Sequence, residues 1–170
     1  MPNVRANDIT MGYDQLGSGE PLLLIPYLAA DYTCYAFQVG EYAKHFTCIT
    51  VDLRGAGESD KPAGPYTTEL LAEDVSAFMR VIDLENAHVA GLSLGAAVGM
   101  RLAAKHPEQV KTLSVHSGWT KTDSFIKTVV ESWQVLARGF DSVTELIIRG
   151  IFPWCFTPEF YTGNADYIAS

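Results

Sequence analysis

The residues whose types and spacing could do chemistry are Gly91-Leu92-Ser93-Leu94-Gly95. A serine becomes a usable nucleophile when a sharp turn presents its hydroxyl, and small flanking residues let neighbouring backbone approach closely enough to make that turn. Ala87-His88-Val89-Ala90 reads as a short strand running straight into Gly91, and Leu94 to Lys105 as a small-residue helix closed by His106-Pro107. Strand, tight turn and helix are the setting this pattern requires. Ser93 is therefore expected to stand above the strand ends, with the positive end of the following helix beneath it, as the group that attacks a carbonyl carbon. The bland alternative is a tight turn with an idle serine.

Other candidate groups carry less. Asp52-Leu53-Arg54-Gly55-Ala56-Gly57-Glu58-Ser59 is a glycine-rich loop in which Asp52 and Arg54 are expected to order the turn by hydrogen bonding and charge pairing. Downstream of Ser93 the histidines are His106, at the far end of its helix from the serine, and His116, at the end of a later strand. A general base must reach the serine hydroxyl and be oriented by a third group. His106 is expected on the surface, and His116 is expected to line the pocket rather than to be that base. Asp123 and Asp141 read as solvated charges.

The elements that must position the serine follow from pattern. Ile9 to Leu16 reads as an outer strand ending at Gly17-Ser18-Gly19, and Leu22-Leu23-Leu24-Ile25 as a strand buried on both faces. Thr47 to Val51 is a second buried strand, Ala87 to Ala90 a third, and Val110 to Val115 a fourth. Between them come a short helix over Tyr35 to Lys44 and an amphipathic helix from Thr68, whose apolar residues Leu70, Leu71, Val75, Phe78, Val81 and Ile82 recur at helical spacing. Strand and helix alternate, which predicts an α/β fold: a mostly parallel sheet covered by helices on both faces. From Trp119 onward no strand is legible. Ser124 to Arg138 and Ser142 to Ile151 read as helices, giving a division into 1–118 and a lid-like 119–170.

Composition narrows the function. Of 170 residues 48% are hydrophobic and 19% charged, enough for one sizeable core. A net charge of -8 without a Lys/Arg cluster argues against nucleic acid. The first residues lack an apolar signal region and no stretch is long and apolar enough to span a bilayer, so a cytoplasmic protein without a membrane partner is expected. Cys34, Cys48 and Cys155 are widely spaced and odd in number, which supports neither a disulfide framework nor a zinc site. All three are expected to be structural, and neither cofactor nor metal is required.

Three motifs in order, Pro26-Tyr27 after the first buried strand, Asp52 to Ser59, and Gly91 to Gly95, resemble the α/β-hydrolase superfamily over about Ile9 to Trp119. The resemblance implies a nucleophile elbow at Ser93 and an oxyanion hole formed by the backbone N–H groups of Leu28 and Leu94. It assigns no catalytic role to Asp52 or Arg54. Tyr27 stands where the family usually has glycine, which puts a large ring beside the site to contact substrate, donate its hydroxyl, or merely pack. Ser114 to Trp119, followed by Phe152-Pro153-Trp154, is similar to aminoacrylate hydrolases and 3-oxoadipate enol-lactonases. That likeness implies a small ester, lactone or acid derivative as substrate, with Trp119 and Trp154 as candidates to wall the pocket beside Tyr27 and His116; the alternative is that Trp133 and Trp154 are ordinary lid core.

The family order is serine, acid, histidine, with the last two on loops after later strands. The resemblance therefore implies a complementary C-terminal segment or second chain carrying the acid and histidine, and a chain that ends inside its lid. Two alternatives stay open: another reaction on the same fold, such as C–C hydrolysis, perhydrolysis or cofactor-free oxygenation, and a non-catalytic binding protein that keeps the elbow.

Overall fold

The structure, a computed structural model, describes residues 1–164. Its strands are β1 (Asn3–Ala6), β2 (Ile9–Leu16), β3 (Glu20–Ile25), β4 (Phe46–Val51), β5 (Ala87–Leu92) and β6 (Val110–His116). The helices are α1 (Ala36–Tyr42), α2 (Thr68–Val81), α3 (Leu94–Lys105), α4 (Ser124–Gly139), α5 (Val143–Leu146), α6 (Phe152–Cys155) and α7 (Pro158–Gly163). One 6-stranded sheet takes the order β1-β2-β4-β3-β5-β6. β1 and β2 join antiparallel, whereas β4, β3, β5 and β6 are mutually parallel. The mostly parallel α/β sheet expected from the alternating elements is what forms. Parallel strands end at one edge of the sheet, so the loops after Ile25, Val51, Leu92 and His116 all emerge there.

The core explains why these segments are strands and helices. Leu23, Ile25, Val51 and Val89 are essentially inaccessible to solvent, and Leu71, Val75, Phe78 and Met79 of α2 share one apolar core with them. Each fully buried side chain of this size contributes about 1.5–3 kcal/mol. α2 is started by the Thr67 side chain, which accepts a hydrogen bond from the Leu70 N–H at 3.1 Å. α3 needs small residues because Ala96, Ala97, Val98 and Gly99 are all buried where it crosses the sheet.

Several expectations are corrected. β1 was not legible: Asn3–Ala6 is only four residues long and turns into β2 through Asn7, which takes a positive φ of 56°. β6 is a strand but not a buried one. It is the sheet edge, with Leu113 half-buried and Thr112, Ser114, Val115 and His116 exposed. In α2, Val81 faces solvent and Met79 takes the core position instead. Tyr35 closes a 3-10 turn (Tyr32–Tyr35) ahead of α1, and Phe37 points outward. Cys48 is buried, as expected of a structural residue, but Cys155 is exposed.

The chain divides into two compact units at Thr120/Lys121. Within the second unit α4 is capped by Asp123, whose carboxylate accepts from the Ile126 N–H at 2.8 Å, so that residue is a helix cap rather than a free charge. Its Trp133 donates its indole N–H to the Gly150 carbonyl at 3.0 Å, inside the π-helical turn Ile147–Ile151. Positions 165–170 of the lid-like segment lie outside the described residues. Among the described residues no helix is long and apolar enough to cross a membrane, and no cluster of His, Cys, Asp or Glu could hold a metal ion.

Candidate active site

Ser93 sits between the last residue of β5 and the first of α3 with φ 54° and ψ -110°. Positive φ in a residue with a Cβ costs about 1–3 kcal/mol and persists only where the surroundings enforce it. Here they do. The Ser93 N–H donates to the His116 carbonyl at 2.9 Å, tying the turn to the end of β6, and the Ser93 carbonyl accepts from Ala97 N–H at 3.2 Å, starting α3. Glycine is required on both sides. A Cβ on Gly91 would overlap the Gly95 carbonyl, and one on Gly95 would overlap the carbonyls of Ile25 and Pro26. A Gly95→Ala variant is expected to lose about 3 kcal/mol of stability or more, since the colliding atoms are backbone and cannot rotate away. Chemical denaturation measures this, and a wild-type midpoint would show that the elbow does not press on β3.

The first-turn amides of a helix have no intrahelical acceptor, so Leu94 N–H stands at the positive end of α3 beside the serine. Leu28 lies on the loop after β3, in a turn closed by Ala30 N–H donating to the Tyr27 carbonyl at 3.2 Å. Leu28 itself is 45% exposed, and Ala29 takes φ 62°. β3 and β5 pair with Ile25 opposite Gly91, and Gly95 touches Ile25 and Pro26, so the loop bearing Leu28 and the elbow bearing Leu94 share one sheet edge.

The remaining predicted pocket residues are at the same edge. Tyr27 is half-buried just beyond β3; His116, paired with Leu92 in the β5–β6 register, is exposed; Trp119 is half-buried after Gly118, which packs on Val115 and Ala96. Among the described residues the Ser93 hydroxyl has no histidine partner. His106 lies at the opposite end of α3, bonded to Glu73, and His88 is bonded to Glu20 and Thr112. Trp154, in the second unit, is 66% exposed.

The Asp52–Ser59 loop is ordered as expected, though by different partners. The fully buried Asp52 carboxylate accepts from Tyr32 N–H at 2.7 Å and Glu58 N–H at 2.8 Å, and a Cβ on Gly57 would collide with it. Burial pushes its pKa above the usual carboxylate range, against the pull of those two amides. Arg54 does not pair with Asp52. It forks onto Asp74 of α2, Nε to Oδ2 at 2.7 Å and Nη2 to Oδ1 at 2.8 Å, and also bonds Asp8 in the β1–β2 turn. Sequence reasoning missed Asp74, although an acid between Leu71 and Phe78 on the apolar face of a helix asks for a buried cation. It also missed Tyr35, for which no sequence signal exists.

The family model for the alpha/beta hydrolase fold matches residues 17–147. The chain belongs to that family. This hydrolase-fold chain is 30% identical over 131 residues to a protein of Azorhizobium caulinodans provisionally named carbamate hydrolase RutD, covering 77% of this chain and 49% of that one. It is 33% identical over 153 residues to a protein of the same name from Caulobacter segnis, covering 88% and 54%. In three dimensions it superposes on the enol-lactonase from Burkholderia xenovorans LB400 with a TM-score of 0.88 at 27% identity, over 99% of this chain and 65% of that one. The chain thus spans about half the length of these curated relatives.

Proposed function

We propose that this chain is the nucleophile-bearing part of a serine hydrolase acting on a small carboxylic ester, lactone or related carbonyl compound. The observation that carries the reading is the forced positive φ of Ser93 at the junction of β5 and α3, a strain maintained where a hydroxyl must be presented. Support for the substrate class comes from relatives whose names are a carbamate hydrolase, given provisionally, and an enol-lactonase, since carbamates and lactones both carry an acyl carbon.

In this reading Ser93 Oγ attacks the carbonyl carbon while its proton passes to a histidine. The oxyanion is held by the N–H groups of Leu28 and Leu94, and the histidine returns the proton to the departing oxygen. Water then attacks the acyl-serine, giving up a proton to the same base, which passes it to Ser93 Oγ as the acyl–oxygen bond breaks and the acid leaves. The histidine and its orienting acid are assigned to polypeptide beyond residue 170. The greater length of the relatives and the exposed edge strand β6 support that assignment. In the same reading Tyr27, His116 and Trp119 meet the substrate.

A fluorophosphonate probe tests the proposal, because it phosphonylates only an activated serine. The intact protein is expected to gain one adduct, mapped by mass spectrometry to the peptide carrying Ser93. Absence of that adduct would favour the non-catalytic reading.

A further inference from the structure

The active-site edge contains a buried hydroxyl that the proposed reaction does not use. Tyr35 is 9% exposed, and its Oη donates to the Ile25 carbonyl at 2.8 Å. That carbonyl has a particular location. Ile25 is the last residue of β3 and pairs with Gly91, and its oxygen is what a side chain on Gly95 would strike. Three residues further along is Leu28. The same oxygen therefore marks the point where the loop bearing one N–H donor and the elbow bearing the other touch.

Tyr35 is itself held. It ends the 3-10 turn Tyr32–Tyr35, whose entry is fixed by the Asp31 carboxylate accepting from Thr33 N–H at 2.9 Å. The Asp52 carboxylate fixes it again through Tyr32 N–H at 2.7 Å while gripping Glu58 N–H with its other oxygen. A path of hydrogen bonds thus runs from the loop after β4, through the turn, to the end of β3. Burial raises the phenol pKa, with the Leu92 amide pulling the other way, so the hydroxyl stays a donor throughout the working pH range.

We propose that Tyr35 is a positioning residue for the oxyanion site: its hydroxyl holds the end of β3 against the elbow at the separation that lets the Leu28 and Leu94 N–H groups converge on one oxygen. The inference rests on the serine-hydrolase reading above. Donors must be placed to within a fraction of an ångström, since a misplacement of about 1 Å costs on the order of a hundredfold in rate. Losing a clamp that acts through the backbone should cost less than losing a donor.

The test is Tyr35→Phe in the intact protein, with p-nitrophenyl acetate as substrate and active sites counted by fluorophosphonate. The kcat per counted site is expected to fall roughly tenfold with KM within about twofold, against the roughly hundredfold or more of deleting a donor outright. Inhibition by a trifluoromethyl ketone, whose serine adduct carries an oxyanion, should weaken by the same factor. A merely structural role would lower the number of countable sites and leave kcat per site unchanged, and that result would overturn the proposal. Should the phenylalanine variant fail to fold, Asp52→Asn leaves the hydroxyl in place but frees its turn. A fall in kcat per site at constant KM then supports the clamp, and an unchanged value overturns it. A wild-type protein not labelled at Ser93 overturns the serine reading and this inference together, whereas labelling with an unaffected Tyr35→Phe overturns the inference alone.

Discussion

Ser93→Ala is expected to lower turnover of the intact protein by a thousandfold or more while leaving the fold in place. On the proposed mechanism the size follows from what is removed: without Oγ no acyl-enzyme would form, and the two proposed N–H donors would only polarise a carbonyl for attack by water. The fold should survive because the bonds that fix the elbow are backbone bonds, Ser93 N–H to the His116 carbonyl and Ala97 N–H to the Ser93 carbonyl. Ser93→Gly sharpens the test. Glycine adopts φ 54° without a steric penalty, so it should be equally inactive yet more stable, by up to about 1–3 kcal/mol if the full strain is released. Activity on a p-nitrophenyl ester and the denaturation midpoint of both variants decide the matter. Near-normal turnover in either would remove Ser93 as nucleophile.

The elbow was legible because its requirements are local. Two glycines and a serine between a strand and a helix state a steric condition within five consecutive positions, and the glycines meet it by lying against backbone. The parallel sheet was legible for a related reason: Leu23 to Ile25 and Cys48 to Val51 are runs that only a strand buried on both faces can use. What was illegible depends on partners remote in sequence. Tyr35 looks like any aromatic at the start of a helix until the Ile25 carbonyl is known to lie at its hydroxyl, and a backbone oxygen leaves no trace in the sequence. The fate of β6 was hidden because burial of a strand is decided by what flanks it. Leu113 faces α3, but Val115, equally apolar, is 44% exposed at the sheet edge. The Arg54 pairing lay between these extremes, since Asp74 falls on the apolar face of α2 and announces that some cation must meet it.

That pairing carries the second large expectation: Arg54→Met should destabilise the fold by about 3–5 kcal/mol. Asp74 is fully buried, and its carboxylate receives both prongs of the guanidinium. Removing the cation leaves the charge, among the described residues, with only the Asn7 Nδ2 donor, at 2.8 Å, and an isolated buried carboxylate cannot be tolerated without protonation or local unfolding. The mutual support extends further, because Arg54 also reaches Asp8. One side chain thus ties the loop after β4 to α2 and to the β1–β2 turn. Methionine preserves much of the arginine stem, so the loss would report the missing charge rather than a cavity. The complementary double variant Arg54→Met/Asp74→Leu removes both charges and should recover most of the stability, since two apolar groups there need no solvation. Urea denaturation of the single and double variants measures the difference. A single variant within about 1 kcal/mol of wild type would place this pair with the surface bridges, whose typical worth is 0–1 kcal/mol. A double variant no better than the single would mean that the fork's geometry, and not charge balance, is what fixes the loop after β4.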